Sequence, residues 1–353
     1  MLACVKTAIG KVEMLDLRIP KARAGEIVVK TTMSMICGTD MHFLDEFPNE
    51  VLAAVYPDIY VPEGMLMGHE AVGVVHEAGD GVTRFQPGDR VIASCLTSCG
   101  RCTECMHGDY SVCTGSGRIL GGCQAEYFVV NHADISATKV PDDVTDELAV
   151  LLTDILSTGF GAIERAEANF GDSVAIFAQG PVGLCATAGA AARGCGLIVA
   201  VDTIPERLVM SQRFGANVVI NPKEQDPVAA IMALTGNEGV DVAVEAVGTQ
   251  ATFEACCQVV RRGGTISVVG VFGLATPQVS MPTLSPSFFH RRMVTTLCPS
   301  GRDRLDHLVA LMRHRKIDLS SLFTHRMKLA DSPQAYDLFR SKAEGVLKIA
   351  IVP

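Results

Sequence analysis

A chain of 353 residues is too long for one compact core and divides into two domains. Its formal net charge of −9 repels a phosphate backbone and excludes nucleic acid as a partner. Asp154 and Gly196 break the longest apolar runs well short of a membrane span, and the start Met-Leu-Ala-Cys-Val-Lys lacks the apolar core of an export signal. Thirteen cysteines without an export signal point to the reducing cytoplasm and to free or metal-bound thiols.

In chain order, residues 1 to about 150 read as irregular and strand-rich. Short β-branched segments at 26–30 and 71–75 are bounded by Gly or Pro, and Gln86-Pro-Gly-Asp-Arg-Val-Ile-Ala93 predicts a turn followed by a strand. The segment 45–65 resembles an insertion, with prolines at 48, 57 and 62. Its apolar residues Val51, Leu52, Val55, Tyr56, Ile59 and Tyr60 are expected to shape a pocket for organic substrates.

Between 95 and 115 lies Cys99-Gly-Arg-Cys102-Thr-Glu-Cys105, followed by Cys113. Four thiolates at this spacing, separated by turn formers, can surround one tetrahedral Zn²⁺ and leave no open position, so such a metal is structural. Disulfides are the alternative, but C-x₂-C spacing makes strained rings.

Near residue 154 the texture changes. Apolar strands at 173–178, 197–201, 240–246, 265–269 and 293–296 alternate with helical stretches, the rhythm of a doubly wound parallel sheet covered on both faces. Helices are expected at 304–315 and 332–342, and a last strand at 345–352. The expected division is therefore α/β: a β-rich domain from 1–153 and 299–353, and a dinucleotide-binding domain from 154–298.

The first strand of that second domain runs into Ala178-Gln-Gly180-Pro181-Val182-Gly183. Gly180 allows close approach of a pyrophosphate, the helix N-terminus supplies amides, and Gly183 permits close helix–sheet packing. Asp202, at the end of the next strand, can accept hydrogen bonds from ribose hydroxyls and repel a 2′-phosphate, which favours NAD over NADP. Arg207 lies close enough to alter that field, and Asp202 could instead cap the helix beginning near Pro205.

Cys37-Gly-Thr-Asp40, Gly68-His-Glu70, the four-cysteine lobe, Thr153-Asp-Ile-Leu-Ser-Thr-Gly159 and the glycine turn together resemble the zinc-dependent medium-chain alcohol dehydrogenases over nearly the whole chain. The resemblance implies a GroES-like β-rich catalytic domain, a Rossmann domain and an active-site cleft between them. It implies that Cys37, His69 and Asp154 ligate a catalytic zinc, giving two zincs per subunit, with Glu70 as an alternate ligand and Asp40 orienting the histidine. Asp154 stands where Cys is common, as in the branch acting on secondary alcohols and in some formaldehyde-oxidising relatives. Taken singly, Cys37 reads as a core thiol, His69 as a partner of Glu70, and Asp154 as a helix cap.

By the same resemblance, Thr39 takes the alcohol proton and His42 relays it to solvent. Val247, Gly270 and Val271 contact the nicotinamide, while Cys95, Tyr110 and Phe272 line the pocket. The expected activity is NAD-dependent interconversion of small alcohols, secondary ones foremost, with ketones or aldehydes. The alternative is a formaldehyde or polyol dehydrogenase of the same family. Relatives carrying the lobe form dimers or tetramers, so a homo-oligomer is expected.

Overall fold

The computed structural model describes residues 1–274, 277–278, 290–315, 317–341 and 345–353. The chain forms two compact units: Met1–Ser157 with Cys298–Pro353, and Thr158–Leu297.

The first unit holds two sheets. In the larger one the order is Phe323–Lys328, Lys348–Val352, Ile27–Met35, Ala71–Ala78, Arg90–Ala93 and Ala137–Lys139, and Tyr127–Val130 also pairs with Ile27–Met35. A smaller sheet orders Lys11–Asp16, Leu2–Ala8, Gly64–Leu66 and Tyr60–Val61. The long strand Ile27–Met35 is the spine of the unit, because its two register shifts let it meet several partners. Where it passes Gly73, a Cβ on that glycine would lie 2.2 Å from the Lys30 carbonyl oxygen, so only glycine admits the pairing.

The second unit is a six-stranded sheet whose neighbours pair in parallel. Its order is Val218–Ile220, Leu197–Val201, Ser173–Phe177, Val240–Glu245, Val260–Val268 and Arg292–Thr295. Numbered along the chain this is 3-2-1-4-5-6, the doubly wound order, with the direction of winding reversing beside Ser173–Phe177. The strands are apolar on both faces, as a sheet covered by helices requires. Every strand expected in this half is present; Val218–Ile220 is an addition, too short and half-exposed to give a periodic signal. The tail carries helices Arg302–Arg315 and Ser332–Ser341, and Lys342, the expected last residue of the second, lies outside the described residues.

At the glycine turn, Ala178 adopts φ 73°, the left-handed conformation that glycine tolerates better than alanine. Gly183 is needed for a different reason: its Cβ would fall 1.9 Å from the Ala178 carbonyl oxygen. Replacing Gly183 by Ala is expected to lower stability by about 1–3 kcal/mol, because backbone rather than a flexible side chain must move. Thermal unfolding tests this, and a wild-type midpoint would contradict the close approach.

Candidate metal centres and dinucleotide turn

The lobe gathers Cys99, Cys102, Cys105 and Cys113 so that their sulfurs all lie within 4.8 Å of one another. A zinc tetrahedron with Zn–S near 2.3 Å separates its sulfurs by about 3.8 Å, and Cys102 Sγ is 3.7 Å from Cys113 Sγ. Backbone amides of Cys99 and Cys102 donate to the thiols of Cys113 and Cys99 at 3.4 Å. Such donors stabilise thiolate: amides of Arg101 and Cys102 bring Cys99 down to about 6, while burial pushes Cys105 up to about 12. Gly115 and Gly117 fold around the cluster, where their Cβ atoms would crowd Cys99 Sγ at 2.6 Å and Cys113 Sγ at 2.8 Å. The donor chemistry and spacing fit a structural zinc.

The second cluster is built by three separate parts of the first unit. Cys37 precedes the helix Gly38–Asp45, and Asp40 caps that helix by accepting the Cys37 amide at 3.0 Å. His69 follows Gly68, whose φ of 82° disfavours any side chain and whose Cβ, were there one, would lie 2.9 Å from the Gln124 amide nitrogen. Asp154 immediately precedes the helix Ile155–Arg165. These elements bring Asp154 Oδ2 to 3.3 Å from His69 Nε2 and 3.8 Å from Cys37 Sγ. On the other ring nitrogen, His69 Nδ1 donates to Asp40 Oδ1 at 3.1 Å, which leaves Nε2 as the nitrogen able to bind a metal.

The cluster is largely shut off from solvent. Asp40, Glu70 and His69 are buried, and Asp154 is nearly so. Burial and the neighbouring Glu70 push the Cys37 thiol up, and burial raises the Glu70 carboxyl to about 7. Burial opposes charge on His69, yet Asp40 and Asp154 favour its protonated form. Glu70 Oε1 is buried without a hydrogen-bond partner. A thiol, an imidazole and a carboxylate meeting beside an orphan carboxylate oxygen fit a bound divalent ion.

Sequence reasoning missed the counter-charge. Lys348 is 1 % exposed, donates to Glu70 Oε2 at 2.7 Å and to the Ile36 carbonyl at 2.9 Å. Although burial opposes its charge, Glu70 holds its ammonium up to about 12. A lysine in an apolar terminal strand was the available signal. Also missed was a chain behind the histidine, in which Tyr336 donates to Gln124 Oε1 at 2.7 Å and Gln124 Nε2 reaches Asp40 Oδ2 at 3.4 Å.

Of the other expected residues, the Thr39 hydroxyl lies 3.8 Å from Cys37 Sγ. His42 Nδ1 pairs with Glu46 Oε1 at 2.6 Å. Tyr110 packs on Gly301, and Phe272 lies edge-on to Phe253, 6.3 Å away, against the core of the second unit. In the segment 45–65, Leu52, Ile59 and Met65 form a small core with Phe43, flanked by Tyr56 and Tyr60, and Ile59 and Tyr60 also line a cavity of about 780 Å³. Val51 and Val55 are exposed.

In the second unit, Gly180 has an ordinary φ of −69° and a Cβ there would meet nothing. Neither strain nor protein contact accounts for that glycine, which leaves open space at the N-terminus of helix Pro181–Arg193, where backbone amides suit an anion. Asp202 accepts from the amides of Gln179 at 2.6 Å and Ile204 at 2.9 Å, and Arg207 stands 3.9 Å away. Its carboxylate therefore fixes the glycine turn, and its remaining lone pairs can still accept from a ribose. Val247 and Val271 are exposed and Gly270 is half-buried. The missed residue here is Glu245, fully buried, whose Oε1 accepts from the amides of Val247 and Gly248 and from the Thr252 hydroxyl. It holds the loop that carries Val247.

Fold and clusters together define a zinc-type dehydrogenase. Residues 23–142 match the family model for the alcohol dehydrogenase GroES-like domain, and residues 181–314 match that for zinc-binding dehydrogenases. The chain is 38% identical to an alcohol dehydrogenase of Cupriavidus necator, over 100% of both chains. It is 32% identical to an NADP-dependent isopropanol dehydrogenase of Thermoanaerobacter brockii, over 98% of this chain and 97% of that protein. The solved structure of an alcohol dehydrogenase from Thermus sp. ATN1 superposes with a TM-score of 0.87 at 30% identity, covering 100% of this chain and 99% of that one. The chain belongs to the zinc-dependent medium-chain alcohol dehydrogenase family, with a GroES-like and a Rossmann domain. No helix among the described residues is long and apolar enough to cross a membrane.

Replacing Lys348 by Met strands Glu70 as a buried, unpaired carboxylate and is expected to cost about 3–5 kcal/mol in denaturant unfolding. The double variant Glu70→Gln/Lys348→Met should recover most of that loss. A single variant as stable as wild type would mean that the pair carries no structural charge balance.

Proposed function

We propose that this protein interconverts secondary alcohols and ketones with NAD as the hydride acceptor, using Cys37, His69 and Asp154 as ligands of a catalytic zinc. The observation that carries the reading is the approach of Asp154 Oδ2 to both His69 Nε2 and Cys37 Sγ in a buried, cation-seeking cluster. Zinc held there supplies Lewis acidity that makes an alcohol proton easier to remove, and a nicotinamide takes up the hydride. Every other task falls to side chains. Asp40 fixes the His69 tautomer and ring plane through its 3.1 Å hydrogen bond. Thr39, beside Cys37, accepts the proton of the substrate hydroxyl and passes it on to His42. The 2.6 Å contact of His42 with Glu46 extends that route by one acceptor. Lys348 holds one oxygen of Glu70, and a carboxylate oxygen of Glu70 lies within 4.8 Å of the Cys37 sulfur and a His69 ring nitrogen, which keeps Glu70 available as an alternate ligand.

NAD rather than NADP is supported by the buried Asp202 carboxylate, since a 2′-phosphate beside it would be repelled. Arg207 at 3.9 Å offsets part of that repulsion. The relatives named NADP-dependent make this the point to measure. Thirteen free cysteines support a reducing, cytoplasmic setting, and the family relationship supports a dimer or tetramer.

Asp154→Ala is expected to lower kcat/KM by at least roughly 100-fold while dinucleotide binding, followed by fluorescence titration, is kept. Wild-type turnover in that variant would remove Asp154 from the ligand set. A panel of ethanol, 2-propanol, 2-butanol, a benzylic alcohol, sorbitol and formaldehyde should run fastest on the secondary alcohols. On the cofactor side, Asp202→Ala should shift the NAD-to-NADP preference at least roughly tenfold towards NADP, about 1.4 kcal/mol. No shift would mean that Asp202 only braces the glycine turn.

A further inference from the structure

Two thiols that the mechanism does not use stand close to Asp154. Cys95 follows the strand Arg90–Ala93, and its main chain is pinned at both ends: the amide donates to the Thr153 carbonyl at 3.1 Å, and the carbonyl accepts from Leu120 at 2.8 Å. Cys298 begins the returning segment of the same unit, its sulfur 3.7 Å from the Asp154 carbonyl oxygen and 3.9 Å from that of Thr153. One donor atom each from Cys95, Asp154 and Cys298 lies within 4.8 Å of the others, the same closeness seen among the four cysteines of the lobe. Both thiols are almost wholly buried, at 4% and 3% exposure, whereas the Asp154 side chain is 13% exposed.

We propose that Cys95, Cys298 and Asp154 form a further metal position, one that takes a thiophilic divalent cation such as cadmium or excess zinc. Two sulfurs and one carboxylate oxygen are a soft, mainly anionic donor set, and three donors leave a fourth position for solvent. The ligands come from segments locked to the same 153–154 main chain, so the set is preorganised. Entry is through Asp154, its most exposed member. Binding is balanced by proton release: the cation gains two sulfur bonds and one oxygen bond, and the two thiols give their protons to solvent. A carboxylate has lone pairs enough to serve two ions. Asp154 also touches His69 and Cys37, so an ion in this position bridges through Asp154 to the catalytic cluster. The position thereby acts as an inhibitory metal site for thiophilic ions, fed by the same residue that faces the catalytic cluster.

The test counts metal on the full-length, zinc-loaded protein. Wild type and Cys298→Ser are incubated with excess cadmium chloride under anaerobic, reducing conditions, passed through gel filtration, and analysed for zinc plus cadmium by mass spectrometry. The near-ultraviolet thiolate-to-cadmium absorbance is recorded in parallel. Wild type is expected to retain one more ion per chain than Cys298→Ser and to show the larger band. Circular dichroism verifies folding, and if Cys298→Ser fails to fold, Cys95→Ser carries the comparison. Equal totals in wild type and the folded variant would overturn the proposal, as would loss of the extra ion in Cys195→Ser, which alters a half-exposed thiol elsewhere. Failure of the catalytic-zinc reading would lower both totals together and leave the difference between them.

Discussion

The charge balance around His69 is the constraint on which the first unit depends. Asp40, Glu70 and Asp154 converge where water is largely excluded, and a low dielectric multiplies the cost of each uncompensated charge. Lys348 answers Glu70 with one short ion pair, His69 stands between Asp40 and Asp154, and the second Glu70 oxygen is left without a hydrogen-bond partner. Parts of the chain as distant as the helix at 38–45 and the strand at 348–352 must therefore close on one another before any of these charges is tolerable.

In the second unit the governing interaction is steric. The strand Ser173–Phe177 must turn so tightly into helix Pro181–Arg193 that Gly183 sits on the Ala178 carbonyl, while Ala178 accepts a left-handed backbone. Asp202 ties the turn to the next strand through the Gln179 amide. That carboxylate also accepts from the Ile204 amide, so it braces the start of the following helix as well as the turn. Glu245 does the corresponding work for the loop bearing Val247, holding two amides and a hydroxyl from a fully buried position.

The expected strands of the sheet from Ser173 onward appear because they are apolar on both faces, a signal that survives without tertiary information. Leu197–Val201 matches residue for residue. The segment 45–65 was legible as apolar, but hydropathy alone cannot separate Leu52 and Met65, which bury against Phe43, from Ile59 and Tyr60, which also line a cavity. Lys348 and Glu245 gave only weak signals, since a charged residue within an apolar strand resembles an edge residue until its partner is known.

By itself the sequence determined the family, the two fold classes and the metal-competent residue types, because these rest on local spacing: four cysteines in a short loop, a glycine turn between strand and helix, an acid closing the next strand. Only the tertiary structure decided which nitrogen of His69 is turned to Asp154, that Lys348 neutralises Glu70, and that Cys95 and Cys298 come close to Asp154. The physical reason is range. Backbone propensity and turn chemistry act over a few residues, whereas charge compensation and ligand geometry join atoms that lie close in space and hundreds of positions apart in the chain.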